Sequence, residues 1–387
     1  MNVPTMRQFH SLRRGVAAAL PVLLVALVTS CAKQVEPPAV PVFFPPAPEL
    51  PRIQFLVSLN GRKDVEEQSA FDRFVLGEKP DLKVDKPYGV AIHDGKIYVC
   101  DTNSTVFVFD LDGRSFGPLE GAIGPGRLRQ PTNISIDSDG TKYVADPVRG
   151  QVVVFDADDQ YVDAFGTPGS WRPVDVVQLE GRLYVADGTK RLVVVLDAKT
   201  GQVLKTIGDK GDPSERLDRP TNLAFDADGY LYVTDFGRFQ VLKYDRDGHY
   251  KAAFGGIGAD FGHFARPKGI ALDRAGRLYA VDASFNNVQI FNPEGRLLLF
   301  FGESGEGPGG LLLPAKVAID YDNLSYFEGY LAPDFRAEYL ILATSQFGER
   351  RVNVFAYGHA TGKSYPSDAD ALKQIEERKK KESAPPK

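Results

Sequence analysis

Three oxygen donors stand at matching places in successive segments of this chain. Asn133, Asp175 and Asn222 each lie two residues past a proline that opens a short apolar run. Carboxylate and amide oxygens from neighbouring segments are what a hard cation such as calcium takes, so the triplet is a candidate metal site. The equivalent places elsewhere hold Gly89, Gly269 and Lys316, no Glu accompanies the set, and Lys316 brings a competing charge. The plainer reading is a hydrogen-bonded polar lining, with no metal and no catalytic residue.

Other chemistry is sparse. His93, His249, His263 and His359 show no zinc-ligand spacing, and no C-x-x-C-H or G-x-S-x-G motif is present. The expectation is therefore no cofactor. Asp101, Asp146, Asp187, Asp235 and Asp282 recur at the ends of Y-V-x-D-like segments. Lys86, Arg172, Arg219 and Arg266 precede four of the prolines, and ion pairs between neighbouring repeats with those aspartates are expected. Cys100 ends an apolar strand and reads as a buried small hydrophobe.

These residues are positioned by a repeat. Pro87, Pro131, Pro173, Pro220, Pro267 and Pro314 are spaced by 44, 42, 47, 47 and 47 residues. Between them run four alternating apolar segments separated by Asp/Gly turns, as in NLAFD, YLYVTD, QVLKYD and YKAAFG. That is an antiparallel meander repeated as propeller blades. The repeated pattern P-x-G/N-I/L-A-x-D, then G-x-L/I-Y-V-x-D, an apolar third strand and a closing FG resembles the NHL repeat. The resemblance covers roughly residues 52–358 and implies an all-β, six-bladed β-propeller of four-stranded antiparallel blades. Ile53 to Gly61 matches a fourth strand that the last blade lacks, so the ring is expected to close with this N-terminal strand. On the same fold, propeller lactonases hold a channel cation through Glu, Asn and Asp; here the Asn stands one place off their motif and the Glu is missing.

The first thirty residues have Arg7, Arg13 and Arg14 before the apolar run GVAAALPVLLVALV, then V-T-S-C. This reads as a signal segment (1–30) and looks like a bacterial lipobox, with Cys31 as the lipidated residue; an ordinary signal or a single anchor helix is the alternative. By the same resemblance, Ala32 favours the outer membrane, with the domain in the periplasm or at the cell surface. Loss of that segment takes the formal charge from −5 to −8, which argues against nucleic acid. Residues 31–51 form the lipidated Cys and a tether carrying seven prolines, long enough in polyproline form to span on the order of 50 Å.

Within the propeller (52–358), a helical excursion at 62–86 carries Phe71, Phe74 and Val75 and is expected to cover one mouth of the ring. An insertion at 322–338 carries Tyr326, Phe327, Tyr330 and Phe335 in the sixth blade. Residues 359–387 read as a charged, largely disordered tail.

Strand order divides the loops between two faces. Loops 4–1 and 2–3 share face X; loops 1–2 and 3–4 share face Y. A tether joined at Y would leave X pointing away from the membrane, so X is the expected binding face. The candidate partner-binding residues are Trp171, Phe261 and Phe264 on X and Tyr326, Phe327 and Tyr330 in the insertion. The chain also resembles NHL-repeat lipoproteins of bacteria rich in multihaem cytochromes. That resemblance implies an assembly platform for an envelope protein of a cytochrome-associated complex, monomeric outside it; the alternative is a channel-metal hydrolase or lyase.

Overall fold

A computed structural model describes residues 38–373, leaving out 39, 69, 70, 72, 73, 76, 104 and 371. The described residues belong to one compact unit, 34–387. Cys31 and the signal segment lie outside them.

Six antiparallel sheets form the ring. Blade one is Pro87–His93, Lys96–Asp101, Thr105–Asp110 and Ser115–Pro118. Blade four is Pro220–Phe225, Leu231–Asp235, Gln240–Tyr244 and Tyr250–Gly255. Second and third strands are almost wholly buried, as in LYVTD and NVQIF, because they lie between two neighbouring blades and are apolar on both faces. Tyr98, Tyr184, Tyr232 and Tyr279, the tyrosines of Y-V-x-D-like segments, are buried between blades, as is Tyr339 of blade six. Outer strands such as Val203–Ile207 are open to solvent over most of their length.

The innermost strands each pack on the next, and Pro314–Asp320 packs on Pro87–His93 to close the circle. Closure uses the N-terminus, as the repeat pattern implied: Ile53–Leu59 pairs with Val352–Ala360 and is buried at every residue.

The sixth blade differs from its sequence reading in one respect. Val42–Phe44, inside the segment read as a tether, is a fifth strand that pairs with Ile53–Leu59 through Val42↔Phe55 and Phe44↔Ile53. Phe44 is 6 % exposed and packs against Phe301 and Phe355, while Phe43 lies on Phe335. An edge strand bonds along one side only, so neighbouring prolines do not forbid it.

The extra strand also reverses the chain. Because it runs antiparallel to Ile53–Leu59, residues before Val42 lead toward face X, and Pro38 sits beside Ser58, Asn60, Asp64, Glu306 and Glu349. The premise that the tether joins at face Y is therefore overturned.

Two other expectations need correction. Phe71, Phe74 and Val75 are helical, yet they stand out in solvent rather than lying down over the channel. The excursion is held instead at its ends, by Gly61 bridged to Lys83, Arg62 to the Pro80 carbonyl, and Glu66 to the Phe116 amide. At the other terminus the ordered chain runs past 359. The Tyr365 hydroxyl donates to the Pro51 carbonyl, and the Arg52 guanidinium stacks 4.4 Å over its ring.

Candidate functional site

The central channel collects the residues that lie two past each proline. Asp175, 1 % exposed, is fully engaged: Oδ1 accepts from Val176 N (2.8 Å), and Oδ2 from Leu223 N (2.9 Å) and Asn222 Nδ2 (3.4 Å). The Lys316 ammonium lies 3.3 Å from Oδ2. Lys316 belongs to blade six and Asp175 to blade three, so this pair crosses the ring. Burial pushes the Asp175 carboxyl up, opposed by Lys316 and the two amides. Asn133 completes the group through Nδ2 to the Val174 carbonyl (3.0 Å).

The glycines of the same layer are there for close approach. A Cβ on Gly89 would meet the Asn133 Cα at 2.7 Å, and one on Gly269 the Lys316 Cα at 2.5 Å.

The structure thus brings Asn133, Asp175 and Asn222 together, and it sets a cation of the protein's own, Lys316, against the carboxylate of the group. A divalent ion at Asp175 would have to displace Lys316 and leave that ammonium buried without its partner, which is costly. Oδ1 of Asn133 and of Asn222 are buried without a hydrogen-bond partner, but two neutral acceptors are weak compensation for stripping water from such an ion. The residues present do not fit a channel metal. Among the described residues no group of three or more His, Cys, Asp or Glu is arranged to hold one.

At the X mouth the strand-end aspartates act as backbone clamps. Asp101 accepts from the amides of Asp85 (2.6 Å), Lys86 (3.1 Å) and Asn103 (2.9 Å). Asp235 does the same for Asp218, Arg219 and Gly237, and Asp282 for Ala265, Arg266 and Ser284. In blade six, where Ser345 replaces the aspartate, its Oγ still accepts from Leu312 N at 3.3 Å. Each clamp ties a 4–1 loop to the 2–3 loop of the same blade.

The expected ion pairs of these aspartates with Lys86, Arg172, Arg219 and Arg266 do not form. Apart from Asp187, whose Oδ2 is buried without a hydrogen-bond partner, these carboxylates accept from amides of both loops, and those four side chains, with Arg129, are exposed around the channel mouth. Beneath them Lys268 is 7 % exposed, with Nζ 2.7 Å from Gln346 Oε1 and 5.1 Å over the Tyr88 ring. Desolvation, then the charges of Arg266 and Lys86, lower its pKa to about 7.

The aromatic candidates separate into three groups. Phe261 is 68 % exposed and stacked on Phe300 at 4.8 Å. Trp171 is half-buried, with Lys190 Nζ 4.8 Å over its ring. Phe264 is fully buried against Phe291 beneath the Gly255 turn, so it is a packing residue and leaves the set of surface anchors.

The insertion is likewise spent on packing. It folds as a 3-10 segment, Leu324–Tyr330, laid over blade one. The Tyr326 hydroxyl donates to Asp112 Oδ2 (2.6 Å), Asn323 Oδ1 accepts from Gly95 N (2.8 Å), and Phe327 is 2 % exposed in the core shared by blades one and six. Tyr330 is half-buried in that core, its carbonyl accepting from Gln54 Nε2 (2.9 Å). Phe327 is thereby also removed as a surface anchor, and Tyr326 and Tyr330 are half-buried.

The loops hold apolar tips that the repeat pattern did not single out. Ile123, Val148, Ile257 and Phe347 are all more than half exposed, and each belongs to a face-X loop. Their signal was an isolated apolar residue amid Gly, Pro and charged neighbours, as in GAIGPG, DPVRG, GGIGAD and SQFGER.

Residues 56–180 match a family described as a 6-bladed beta-propeller. Among solved structures, the chain is similar to a protein of unknown function from Bacteroides thetaiotaomicron (14 % identity, 79 % of this chain and 75 % of that one, TM-score 0.54). It is similar to a gluconolactonase from Xanthomonas campestris (16 %, 84 % and 99 %, 0.52). An auxiliary nutrient binding protein from Bacteroides thetaiotaomicron aligns at 12 % identity over 70 % of this chain and 69 % of that one, with TM-score 0.53. At such identities the likeness concerns the fold alone. The chain folds as an all-β, six-bladed β-propeller.

Proposed function

We propose that this is a non-catalytic, lipid-anchored NHL-type propeller in the bacterial envelope, serving as a binding or assembly platform for another envelope protein of a cytochrome-associated complex. The observation that carries the reading is the Asp175–Lys316 pair across the channel. It occupies the place where a channel enzyme would need an open ligand set. The lipobox-like V-T-S-C31 supports the anchor, and among the described residues no helix is long and apolar enough to cross a membrane.

The partner's face follows from the reversed N-terminal strand. The chain before Val42 leads toward X, so Y is the face turned away from the anchor. Its turn tips carry exposed acids, among them Asp94, Asp139, Asp158, Asp228 and Asp247. Such a surface steers a partner with a basic face. Reversing Asp139, Asp158 and Asp228 to Lys should lower capture of the partner from solubilised membranes at least about tenfold at low salt, judged by quantitative pull-down. Unchanged capture would refute the assignment.

The runner-up, a channel-metal lactonase or lyase, is favoured only by the shape it shares with the gluconolactonase. Stoichiometric divalent metal in the purified protein, together with lactone hydrolysis lost in Asn133→Ala/Asp175→Ala/Asn222→Ala, would establish it instead.

A further inference from the structure

We propose that face X is a docking surface for an anionic lipid bilayer, so that the propeller lies mouth-down on the membrane that anchors it. The inference rests on the anchored reading for its setting and on three independent observations for its substance.

The first is where the apolar side chains are. Among the described residues, the exposed Phe71, Phe74, Ile123, Ile257, Phe261 and Phe347 come from loops of blades spread around the ring, all at one end of it. No exposed large apolar side chain sits in a face-Y turn; the rest lie on flanking outer strands, in other X loops, or at Val40. Separated tips at one level suit a plane of acyl chains. A protein partner would be met by one contiguous patch.

The second is charge. The 2–3 loops hold Arg149, Lys190, Arg191, Arg238, Arg350 and Arg351 against a single acid, Glu349, although Arg191 is paired with Asp218 at 3.0 Å and the 4–1 loops of the same face carry exposed acids such as Asp85, Asp209, Asp212 and Glu306. Inside that circle stand exposed Lys86, Arg129, Arg172, Arg219 and Arg266, which form no ion pair with the strand-end aspartates, four of which are spent on amides. Basic groups at the height of apolar tips are what phospholipid headgroups above acyl chains require.

The third is the path of the chain. On the anchored reading Cys31 stands seven residues before Pro38, and Pro38 lies beside Asn60 and Glu349 on the X side. An anchor at Cys31 joined there draws this face toward the bilayer. Were it joined at Y, the same tether would have to pass the whole flank of the ring.

The chain's single tryptophan, Trp171, is in a face-X loop and reports the orientation directly. The full-length protein, purified from membranes, would be placed on vesicles of phosphatidylcholine with one-third phosphatidylglycerol, bearing bromines high on the acyl chains. Trp171 fluorescence should fall to about half of its value on unbrominated vesicles of the same charge. Quenching should be lost in Lys86→Glu/Arg129→Glu/Arg266→Glu while that variant stays vesicle-bound with unchanged Tm. A vesicle-bound protein whose Trp171 is not quenched would overturn the proposal. So would a triple variant that keeps its quenching, or one that instead loses a protein partner in pull-down.

A second arm separates this proposal from the anchor. The full chain carrying Cys31→Ser should still sediment with anionic vesicles several-fold more than with pure phosphatidylcholine, the difference vanishing in the triple variant. Equal sedimentation with both lipids would overturn the docking surface. If mass spectrometry of the parent protein purified from membranes finds no lipid on Cys31, it is the anchor reading that fails.

Discussion

Lys316 decides how the channel is understood. A lysine two places past a first-strand proline is unremarkable in sequence, but across the ring it meets the buried Asp175 at 3.3 Å. Truncating one member of such a pair leaves the other charge uncompensated and costs about 3–5 kcal/mol. Lys316→Met should therefore destabilise the propeller by that amount in urea denaturation, and Lys316→Met/Asp175→Asn should recover most of it. A single variant as stable as the parent would show that the carboxyl is neutral and the pair immaterial.

Lys268 gives the residue scale a pH dependence. Its pKa falls from the ordinary lysine range to about 7 in the folded state, so between pH 7 and the unfolded value the unfolded chain binds more protons. Stability from this site rises as pH climbs through that window and is lowest below pH 7, where the buried amine is charged. Lys268→Met should thus raise Tm relative to the parent more at pH 6 than at pH 9, as scanning calorimetry in matched buffers would reveal. A gap that widens with pH would contradict the sign.

Among the elements, the N-terminal strands matter most. Ile53–Leu59 completes blade six, and its absence would open a buried strand edge. Deleting residues 52–61 should abolish cooperative unfolding. Removing only the Phe44 ring, packed on Phe301 and Phe355, should cost about 3 kcal/mol. Both are checked by chemical denaturation, with a cooperative, parent-like transition as the contrary result.

The two strands also mark how far the sequence could be read. Ile53–Leu59 was legible because it is a seven-residue match to the repeat's fourth strand. Val42–Phe44 was not, because three residues carry no measurable period and the surrounding prolines read as a polyproline spacer. Without that strand, the chain before Ile53 would leave the ring at face Y; with it, the chain leaves at face X. At the site, the spacing of the prolines was enough to bring Asn133, Asp175 and Asn222 together. It could not say that Lys316 reaches across the ring, since that contact depends on closure between blades 141 residues apart. Burial was the hardest feature to foresee. Phe261 and Phe264 sit three residues apart in one loop, yet one lies on solvent and the other under a glycine turn.

At the scale of the whole molecule, the channel holds an ion pair of the protein's own, Asp175 with Lys316. On the reading proposed above, face X, with its basic 2–3 loops and apolar loop tips, would lie on lipid, and face Y, with its acidic turns, would be offered to a partner. Cross-linking mass spectrometry of the full-length protein in intact membranes tests this most directly, because exposed lysines mark both faces. Protein-to-partner links should come from Lys199 and Lys251 on the Y side and be missing from Lys86, Lys190 and Lys210 on X. Partner links concentrated on Lys86, Lys190 and Lys210 would contradict the account.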